Sequence, residues 1–377
     1  MFNKKLLSRS TLTALFCTAA LAAGSAAVSA ETIKLGFLGP LSGGSAYEGE
    51  GARNGFLLAI KQANESGDYP YTVEPVVLDD ASDPTVGASA ALKFVNERNA
   101  VAATGHWNSP VALATIPIFN RNKMPFIVWG AISPKITEAN YPEVTRVVPT
   151  SEMENQPLAD WAVKDMGWKR FSIISDTSDY GTSNTQAFTN YIVENGGEII
   201  STDSFPVGTT DFRSALSKIK SEKPDAIYFG GVVTEAALVR SQMYDQDMSD
   251  LPMLGISGIF DEKLVEITKD KGDGIIASVQ KVKENPNLAA FEEDYKAEDY
   301  STPAGTYAKY SYDATNILLE TIKNVGYKDK EKLAQAIRDI EYDGAVGLTS
   351  FDENGQTQLI IDATRYIVKD GQWQEID

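Results

Sequence analysis

Residues 33–60 read IKLGFLGPLSGGSAYEGEGARNGFLLAI, and this stretch indicates the fold class. Residues 33–38 form a short apolar run that predicts a strand, and a glycine-rich loop follows it. A helix is then predicted through Phe56, Leu57, Ala59 and Ile60. Short strands that alternate with such helices are typical of a parallel sheet covered on both faces. The stretch therefore predicts an α/β protein.

The same alternation continues outward along the chain and then starts a second time. Asp83-Pro84 is typical of a helix start, because Asp caps free N–H groups and Pro fits the first helical position. After residues 147–150 the strand–helix plan begins again, and two copies joined by a short crossing predict two lobes. The further predicted strands lie at 73–78, 101–104, 126–129, 171–175, 198–201, 226–229 and 253–254.

The tail of the chain follows a different pattern. Helices are predicted at 288–300, 307–324 and 330–340 from the spacing of their apolar residues. Residues 349–361 then predict a hairpin, since Asn354-Gly355 is a strong signal for a tight turn.

Composition and charge exclude several classes of function. The 377 residues include 34 Lys and Arg against 52 Asp and Glu, which gives a formal net charge of −18. Such a surface repels phosphate backbones, so no nucleic-acid partner is predicted. A single His and a single Cys leave little for His-based catalysis or for a Cys/His metal cage. We therefore predict no metal, no cofactor and no enzymatic activity.

The first 30 residues have the layout of a secretory signal peptide. A basic start is followed by a short apolar run at 12–23, and Val28-Ser29-Ala30 supplies the small residues of a cleavage site before Glu31. The apolar run is short for a membrane span, although an uncleaved anchor helix is the alternative. Residues 1–30 therefore predict export, and the chain that follows contains no cysteine.

Candidate ligand contacts follow the strands of the first half. The loop at 39–51 lacks the Gly-Lys-Ser or Gly-Lys-Thr of a phosphate-binding loop. After the third strand, Ser109 and the free N–H groups of a helix start could hold a carboxylate, although Asn108 or Ser109 could equally serve only as a cap. After the fourth strand, Gly130 and Ala131 allow close approach to their backbone.

Two further features of the loops have ordinary structural interpretations beside the functional ones. His106 is predicted to be a structural hydrogen-bonding residue, and Trp129 belongs either to the core or to a ligand-binding wall. In the second half, polar loops at 175–181, 230–235 and 255–260 occupy positions equivalent to those of the first half. The sequence thus predicts ligand-contacting loops on both lobes.

Several short motifs in a fixed order carry a family resemblance over almost the whole chain after residue 30. The sequence resembles the type I periplasmic substrate-binding proteins of ABC importers, in the branched-chain amino acid (Leu/Ile/Val) group. The motifs are Gly39-Pro40-Leu41-Ser42-Gly43, Asp79-Asp80-Ala81-Ser82-Asp83-Pro84, Gly105-His106, Ser133-Pro134, Asp179-Tyr180-Gly181, Asp211-Phe212 and Phe351-Asp352-Glu353-Asn354-Gly355.

The resemblance implies two Rossmann-like lobes that the chain crosses three times, with a ligand enclosed between them. The first lobe would comprise 31–149 plus 277–346, and the second 150–276 plus 347–377. The crossings would fall near 148–151, 276–280 and 345–350.

The resemblance also implies a site. Ser109, Gly130 and Ala131 would hold a ligand carboxylate, and Tyr180 would reach the ligand from the second lobe. Related amino-acid receptors place acids where this chain has Ser151 and Ser257, so Glu152 or Glu154 would have to substitute. The complete set of predicted ligand-binding residues is Tyr47, Glu48, Trp107, Asn108, Ser109, Trp129, Gly130, Ala131, Tyr180, Val232 and Ser257.

The predicted function is the periplasmic solute-binding component of an ABC importer, which binds an amino acid or a related small carboxylate. Its partners would be the ligand and the permease subunits in the inner membrane, and the protein would be a monomer. Trp107, Trp129 and Phe260 favour an aromatic or otherwise apolar carboxylate as an alternative ligand. An exported hydrolase on the same fold and a sensory module without transport are two competing hypotheses for the function.

Overall fold

Strands and helices alternate from the start of the described chain, as the opening stretch predicts. The computed structural model describes residues 30–359 and 362–376. The predicted signal peptide lies outside the described residues except for Ala30. The first run of elements comprises β1 (Glu31–Gly39), α1 (Ala46–Glu65), β2 (Tyr71–Asp79), α2 (Pro84–Val95), β3 (Ala100–Gly105), α3 (Ser109–Arg121), β4 (Phe126–Val128), α4 (Lys135–Glu138) and β5 (Val144–Arg146).

These strands form a five-stranded parallel sheet in the order β2-β1-β3-β4-β5. Helices cover both of its faces, which explains why β3 and β4 are almost continuously apolar and buried. The predicted start of α2 is confirmed, because the Asp83 side chain accepts hydrogen bonds from the N–H groups of Thr85 and Val86.

The second run repeats the plan after the chain leaves β5. A π-helical turn (Trp161–Asp165) continues the first helix, and short 3-10 turns (Ser257–Ile259 and Lys269–Lys271) flank the last one. The regular elements are α5 (Ser151–Asp160), β6 (Arg170–Asp176), α6 (Asp179–Glu194), β7 (Glu198–Phe205), α7 (Arg213–Glu222), β8 (Ala226–Gly230), α8 (Val233–Asp245), β9 (Met253–Ile256), α9 (Glu262–Thr268) and β10 (Ile275–Lys281).

The tail supplies three helices to the first sheet and two strands to the second. Among the described residues no helix is both long and apolar enough to cross a bilayer. The elements of the tail are α10 (Pro286–Ala297), α11 (Ala308–Val325), α12 (Lys330–Arg338), β11 (Tyr342–Gly344), β12 (Gly347–Thr349), β13 (Asp362–Lys369) and β14 (Gln372–Ile376).

The second sheet has seven strands in the order β14-β13-β10-β9-β8-β6-β7. Its parallel part, β7-β6-β8-β9-β10, repeats the strand order of the first sheet, and β13 pairs antiparallel with β10. Helices α10 and α11 pack on α1, where the amide of Asn54 donates to the hydroxyl of Tyr295 at 3.0 Å. We call the first sheet with its helices the first lobe, and the second sheet with its helices the second lobe.

Two predicted lobe boundaries are displaced in the structure. The resemblance implies that residues 277–281 belong to the first lobe, but they pair with β9 and β13 inside the second sheet. It places residues 351–357 in the second lobe, but they lie against β5, where Arg146 and Gln356 form a bridge. Backbone pairing decides both boundaries, and the apolar pattern does not reveal which sheet provides it.

The predicted hairpin at 349–361 is confirmed around its turn, which is closed by the N–H of Gly355 donating to the carbonyl of Asp352. A bridge joins Phe351 and Thr357, and the N–H of Gln358 donates to the carbonyl of Ser350. Residues 360–361 lie outside the described residues. The long hairpin of the tail is β13–β14, which turns at Asp370-Gly371, where both residues have positive φ. Asp-Gly was an available turn signal.

Candidate functional site

A cavity of about 410 Å³ lies between the lobes at the carboxyl ends of both parallel sheets. In each sheet the strand order reverses between the first and third strands, and this reversal leaves a crevice where α/β proteins bind ligands. We call this cavity the inner chamber. It is lined by Gly44, Ser45, Tyr47, Glu48, Ser82, Trp107, Asn108, Pro110, Gly130, Asp176, Ser178, Tyr180, Val207, Val232, Val233, Thr234, Glu235, Gly258, Asp261 and Tyr307.

Most of the predicted ligand-binding residues meet at the inner chamber. They come from loops that are distant in sequence, and the sheet topology brings them together. Their indole, phenol and isopropyl groups give the chamber an apolar part, and Trp107 contacts Tyr307 edge-on with ring centroids 6.3 Å apart. The predicted residues that line the chamber are Tyr47, Glu48, Trp107, Asn108, Gly130, Tyr180 and Val232.

Three other predicted residues lie behind the chamber wall. Ser109 is buried, and its hydroxyl oxygen accepts a hydrogen bond from the N–H of Ser133 at 3.2 Å. The N–H of Ala131 donates to the carbonyl of His106 at 3.0 Å, so this amide is already occupied. Trp129 is fully buried and stacks on Phe37, which matches its core interpretation.

Ser257 lines a smaller cavity next to the crossing between the lobes. Its hydroxyl donates to Oε2 of Glu154 at 2.5 Å, and both side chains are buried. Burial raises the pKa of Glu154 to about 7, although the hydrogen bonds from Ser257 oppose the rise. Tyr307 lines both this cavity and the inner chamber, so Glu154 lies directly behind the chamber.

Five helices begin at the inner chamber: α1, α3, α6, α8 and α9. Ser45, Asn108 and Val232 occupy the N-cap positions of three of them, and none makes a side-chain hydrogen bond to its helix. The N–H of Ala46 in α1 donates to the carbonyl of Gly43, whereas no side chain caps the first N–H groups of α3 and α8, which are left for another acceptor. Because helix starts carry partial positive charge, the chamber is suited to a carboxylate.

Carboxyl groups also line the inner chamber. Oδ1 of Asp176 accepts from the N–H of Ser178 at 2.8 Å, and Oε1 of Glu235 accepts from the N–H of Gly208 at 2.9 Å. Burial raises the pKa of Asp176. Within the described part of the chain, no Lys, Arg or His lines this chamber. The acidic side chains of the chamber therefore favour a ligand that carries a positive group.

Glu48 and Asp261 bring two of these carboxyl groups together from opposite lobes. Glu48 lies in the first turn of α1, whereas Asp261 caps α9 and accepts from the N–H of Lys263 at 2.5 Å. Both residues line the same part of the cavity, so two acidic side chains are neighbours there. Burial raises the pKa of Glu48 to about 8, and the charge of Asp261 adds to the rise.

The hydroxyl of Tyr180 is buried without a hydrogen-bond partner among the described residues. It lies against Gly258, where a Cβ atom would overlap the hydroxyl oxygen. Burial raises the pKa of Tyr180, so the hydroxyl keeps its proton. Tyr180 therefore offers a free donor and acceptor at the wall of the chamber.

Comparison with known proteins agrees with this architecture. The sequence profile of the periplasmic binding proteins matches residues 32–371. The chain belongs to the periplasmic binding protein family. This periplasmic binding protein is the solute-binding component of an ABC importer, a class of proteins that bind small ligands and work with permease subunits.

Its relatives match over most of their own length. The leucine-, isoleucine-, valine-, threonine- and alanine-binding protein of Pseudomonas aeruginosa is 26% identical over 91% of this chain and 92% of the relative. The Leu/Ile/Val-binding protein BraC3 of Rhizobium johnstonii is 28% identical over 86% of this chain and 88% of the relative. The leucine-binding protein LivK of Thermotoga maritima is 29% identical, with a TM-score of 0.83 over 92% of this chain and 98% of that structure.

Several residues of the chamber were missed by sequence reasoning. Asp176 and Glu235 lie in second-lobe loops that were recognised, but they were not singled out as ligand contacts. Asp261 comes one residue after the loop predicted at 255–260. Tyr307 lies in the tail of the chain, at the N-cap of α11, and no local signal in the sequence connects it with the loops of either sheet.

His106 lies away from the binding protein's chambers. Its imidazole is fully buried, and Nδ1 lies 2.6 Å from Oδ2 of Asp80, which is also fully buried. His106 lines none of the three cavities described in the structure. The buried contact with Asp80 agrees with the structural hydrogen-bonding role that the sequence predicts for His106.

Proposed function

We propose that this binding protein takes an α-amino acid, or a zwitterion of similar size, into the inner chamber. One observation carries the proposal: uncapped helix starts and buried carboxyl groups face the same cavity, and none of its described lining residues is basic. A zwitterion matches both features, because its carboxylate suits the helix starts and its ammonium suits the acids. The amino acids named for the P. aeruginosa relative belong to this class.

The ligand carboxylate is assigned to the start of α3. The N–H groups of its first turn have no side-chain cap, and the backbone of Gly130 lies beside them. A Cβ at position 130 would lie 3.0 Å from Cα of Trp107, so only glycine leaves this approach open without movement of the neighbouring loop. The hydroxyl hydrogen of Ser109 adds a possible donor at the same helix start.

The ligand ammonium is assigned to the Tyr180 hydroxyl and to Glu154 behind it. Ser257 occupies the position at which the resemblance implies an acid, and its hydroxyl is bonded to Glu154. Because the Ser257 hydroxyl directs its hydrogen to Glu154, its oxygen lone pairs are left to accept from the ligand ammonium, and the charge of Glu154 attracts that ammonium. Glu154 is preferred to Glu152 because the side chain of Glu154 is buried beside the chamber.

An aromatic carboxylate without an amine is the weaker candidate. Trp107 and Tyr307 could pack against its ring, but Glu48, Asp176 and Glu235 would then meet a second negative charge without a cation. Catalysis is not part of the proposal, since the chain's only His lies outside the chambers.

Calorimetric titration with matched ligands tests the proposal. Leucine should bind, whereas 4-methylpentanoate, which lacks only the amine, and 3-methylbutylamine, which lacks only the carboxylate, should bind about 10- to 100-fold more weakly or not at all. Phenylalanine and 3-phenylpropanoate extend the comparison to aromatic ligands. If the amine-free acids bind as tightly as the amino acids, the zwitterion assignment is wrong.

Export is proposed to depend on residues 1–30. Cleavage after Ala30 would produce a chain that begins at Glu31, the first residue of β1. Intact mass of the protein recovered from the periplasm should correspond to residues 31–377. Size-exclusion chromatography with light scattering should give the mass of a monomer with and without ligand.

A further inference from the structure

A second cavity of about 390 Å³ adjoins the inner chamber. Tyr47, Glu48 and Asp261 line both cavities, so these side chains form the partition between them. We call the second cavity the outer chamber, bounded by α1, α10 and α11 of the first lobe and by α9, β10 and the β13–β14 hairpin of the second. A ligand longer than a branched-chain amino acid could therefore extend from one chamber into the other.

Aromatic side chains and acids dominate the wall of the outer chamber. The ring of Phe260 lies 4.6 Å from that of Tyr366 and 4.9 Å from that of Trp373, measured between centroids. Aromatic faces attract cations as well as apolar groups. The carboxylates that line this chamber besides Glu48 are Asp261, Glu262, Glu284 and Glu292.

Two lysines line the outer chamber without balancing these acids. Nζ of Lys281 lies 3.0 Å from both carboxylate oxygens of Glu375, so its charge is matched by that exposed pair. Lys309 lies over the ring of Tyr310 at 5.8 Å, and it interacts electrostatically with Glu48 and Glu292. The acids therefore outnumber the available positive groups.

Glu48 is the residue that a ligand passing between the chambers would meet. Glu48 is only 8% exposed, and Asp261 lies beside it in the partition between the chambers. The charged groups nearest to Glu48 are Asp261, the N-cap of α9, and Lys309 of α11. Burial and the neighbouring acid favour the protonated form of Glu48, and a ligand cation at this place would favour the ionised form.

We propose that the outer chamber holds the cationic end of an elongated amino acid, whose ammonium or guanidinium group binds between Glu48 and Asp261. This inference rests on the proposed amino-acid function and names its substrate class. The α-carboxylate and α-ammonium occupy the inner chamber, and the side chain passes Tyr47. When the cation binds, Glu48 releases its proton to solvent, and the ligand's positive charge takes the place of that proton.

Pairs of ligands that differ mainly in side-chain charge test the inference. Lysine against norleucine and arginine against citrulline should differ about 10- to 100-fold in affinity, the charged member binding more tightly. Titration of lysine in two buffers of different ionisation enthalpy should show proton release, and norleucine should show none. Equal or tighter binding of norleucine and citrulline would overturn the inference.

Glu48→Gln separates the two proposals further. The variant should lose the preference for lysine over norleucine, measured as the ratio of the two affinities within the same variant. Glu65→Gln, an exposed change of the same charge on the same helix, should leave both affinities unchanged. A preference for lysine that survives in Glu48→Gln overturns the inference. If neutral amino acids bind and cationic ones do not, only this inference fails, whereas failure of every amino acid removes the proposed function as well.

Discussion

The hydroxyl of Ser257 donates to Oε2 of Glu154 over 2.5 Å and thereby joins the turn after β9 to helix α5 behind the inner chamber. The chain thus places a buried acid near the position at which related amino-acid receptors are expected to carry one. The carboxylate comes from a different element, and both side chains line the smaller cavity next to the inner chamber. This relationship connects the crossing between the lobes with the proposed ammonium site.

Replacement of Glu154 should weaken amino-acid binding. Glu154→Gln keeps the shape of the side chain and its ability to accept from Ser257, but it removes the negative charge available to the ligand ammonium. We expect a loss of affinity of about 10- to 100-fold by calorimetry. Glu152→Gln, two residues earlier and only half-buried, is the matched control and should bind as the wild type does. Equal losses in both variants would contradict the assignment of the charge to Glu154.

Tyr180→Phe should lower affinity without lowering stability. The hydroxyl has no hydrogen-bond partner in the described structure, so its removal costs the folded protein no bond. If the hydroxyl bonds to the bound ligand, the variant should lose about 0.5–1.5 kcal/mol of binding free energy. Thermal unfolding without ligand should give the wild-type midpoint or a higher one. Unchanged affinity would remove Tyr180 from the site.

The unfolding free energy should fall as pH rises from about 4.5 to about 8. The pKa of Glu48 is about 8 in the folded chain against an ordinary value of 4.5, so the folded chain holds the proton more tightly in this range. Its contribution is therefore fully present below about pH 4.5 and is lost as pH rises through about 8. The pKa values of Glu154 and Asp313 are each raised to about 7, so these two groups also lower the unfolding free energy as pH rises.

Denaturant unfolding at several pH values isolates the part of the pH dependence of stability that is due to Glu48. The difference in unfolding free energy between the wild type and Glu48→Gln should change by ~1 kcal/mol or more across this range, in favour of the variant at high pH. The other groups with raised pKa values are present in both proteins, so their contributions largely cancel in the difference. The unfolding free energy of Glu65→Gln should change with pH as that of the wild type does. A constant difference between the wild type and Glu48→Gln would show that Glu48 is ionised throughout.

Arg146 should be essential for stability. Its buried guanidinium donates to the side chains of Gln356 and Thr137 and to the backbone carbonyls of Ala131 and Ser133. Arg146→Met retains much of the side-chain volume but leaves these acceptors unpaired, so we expect a loss of about 3 kcal/mol or more in denaturant unfolding.

The control for that change is Arg213→Met. Arg213 is exposed, and its ion pair with Asp211 lies at the surface, where such pairs contribute about 0–1 kcal/mol. If the two methionine variants lose similar stability, the buried hydrogen bonds of Arg146 do not stabilise this region as proposed.

Local signals in the sequence predicted much of the fold. Asp83-Pro84 marks the start of α2 because the Asp side chain accepts from the free N–H groups of the helix start and Pro fits the first helical position. The strands at 101–104 and 226–229 are recognisable because burial on both faces makes them uniformly apolar. The hairpin at 362–376 was missed although Asp370-Gly371 carried a turn signal.

The sequence by itself determined the strand–helix alternation, the two copies of the plan and the loops that face the chamber, since each depends on neighbours along the chain. Only the tertiary structure decided which side chains in those loops face the ligand. Trp107 lines the chamber and Trp129 is buried in the core, although both follow strands. Glu48 meets Asp261, and Tyr307 joins the wall, because the lobes bring together residues that are remote in sequence. No local periodicity encodes such contacts.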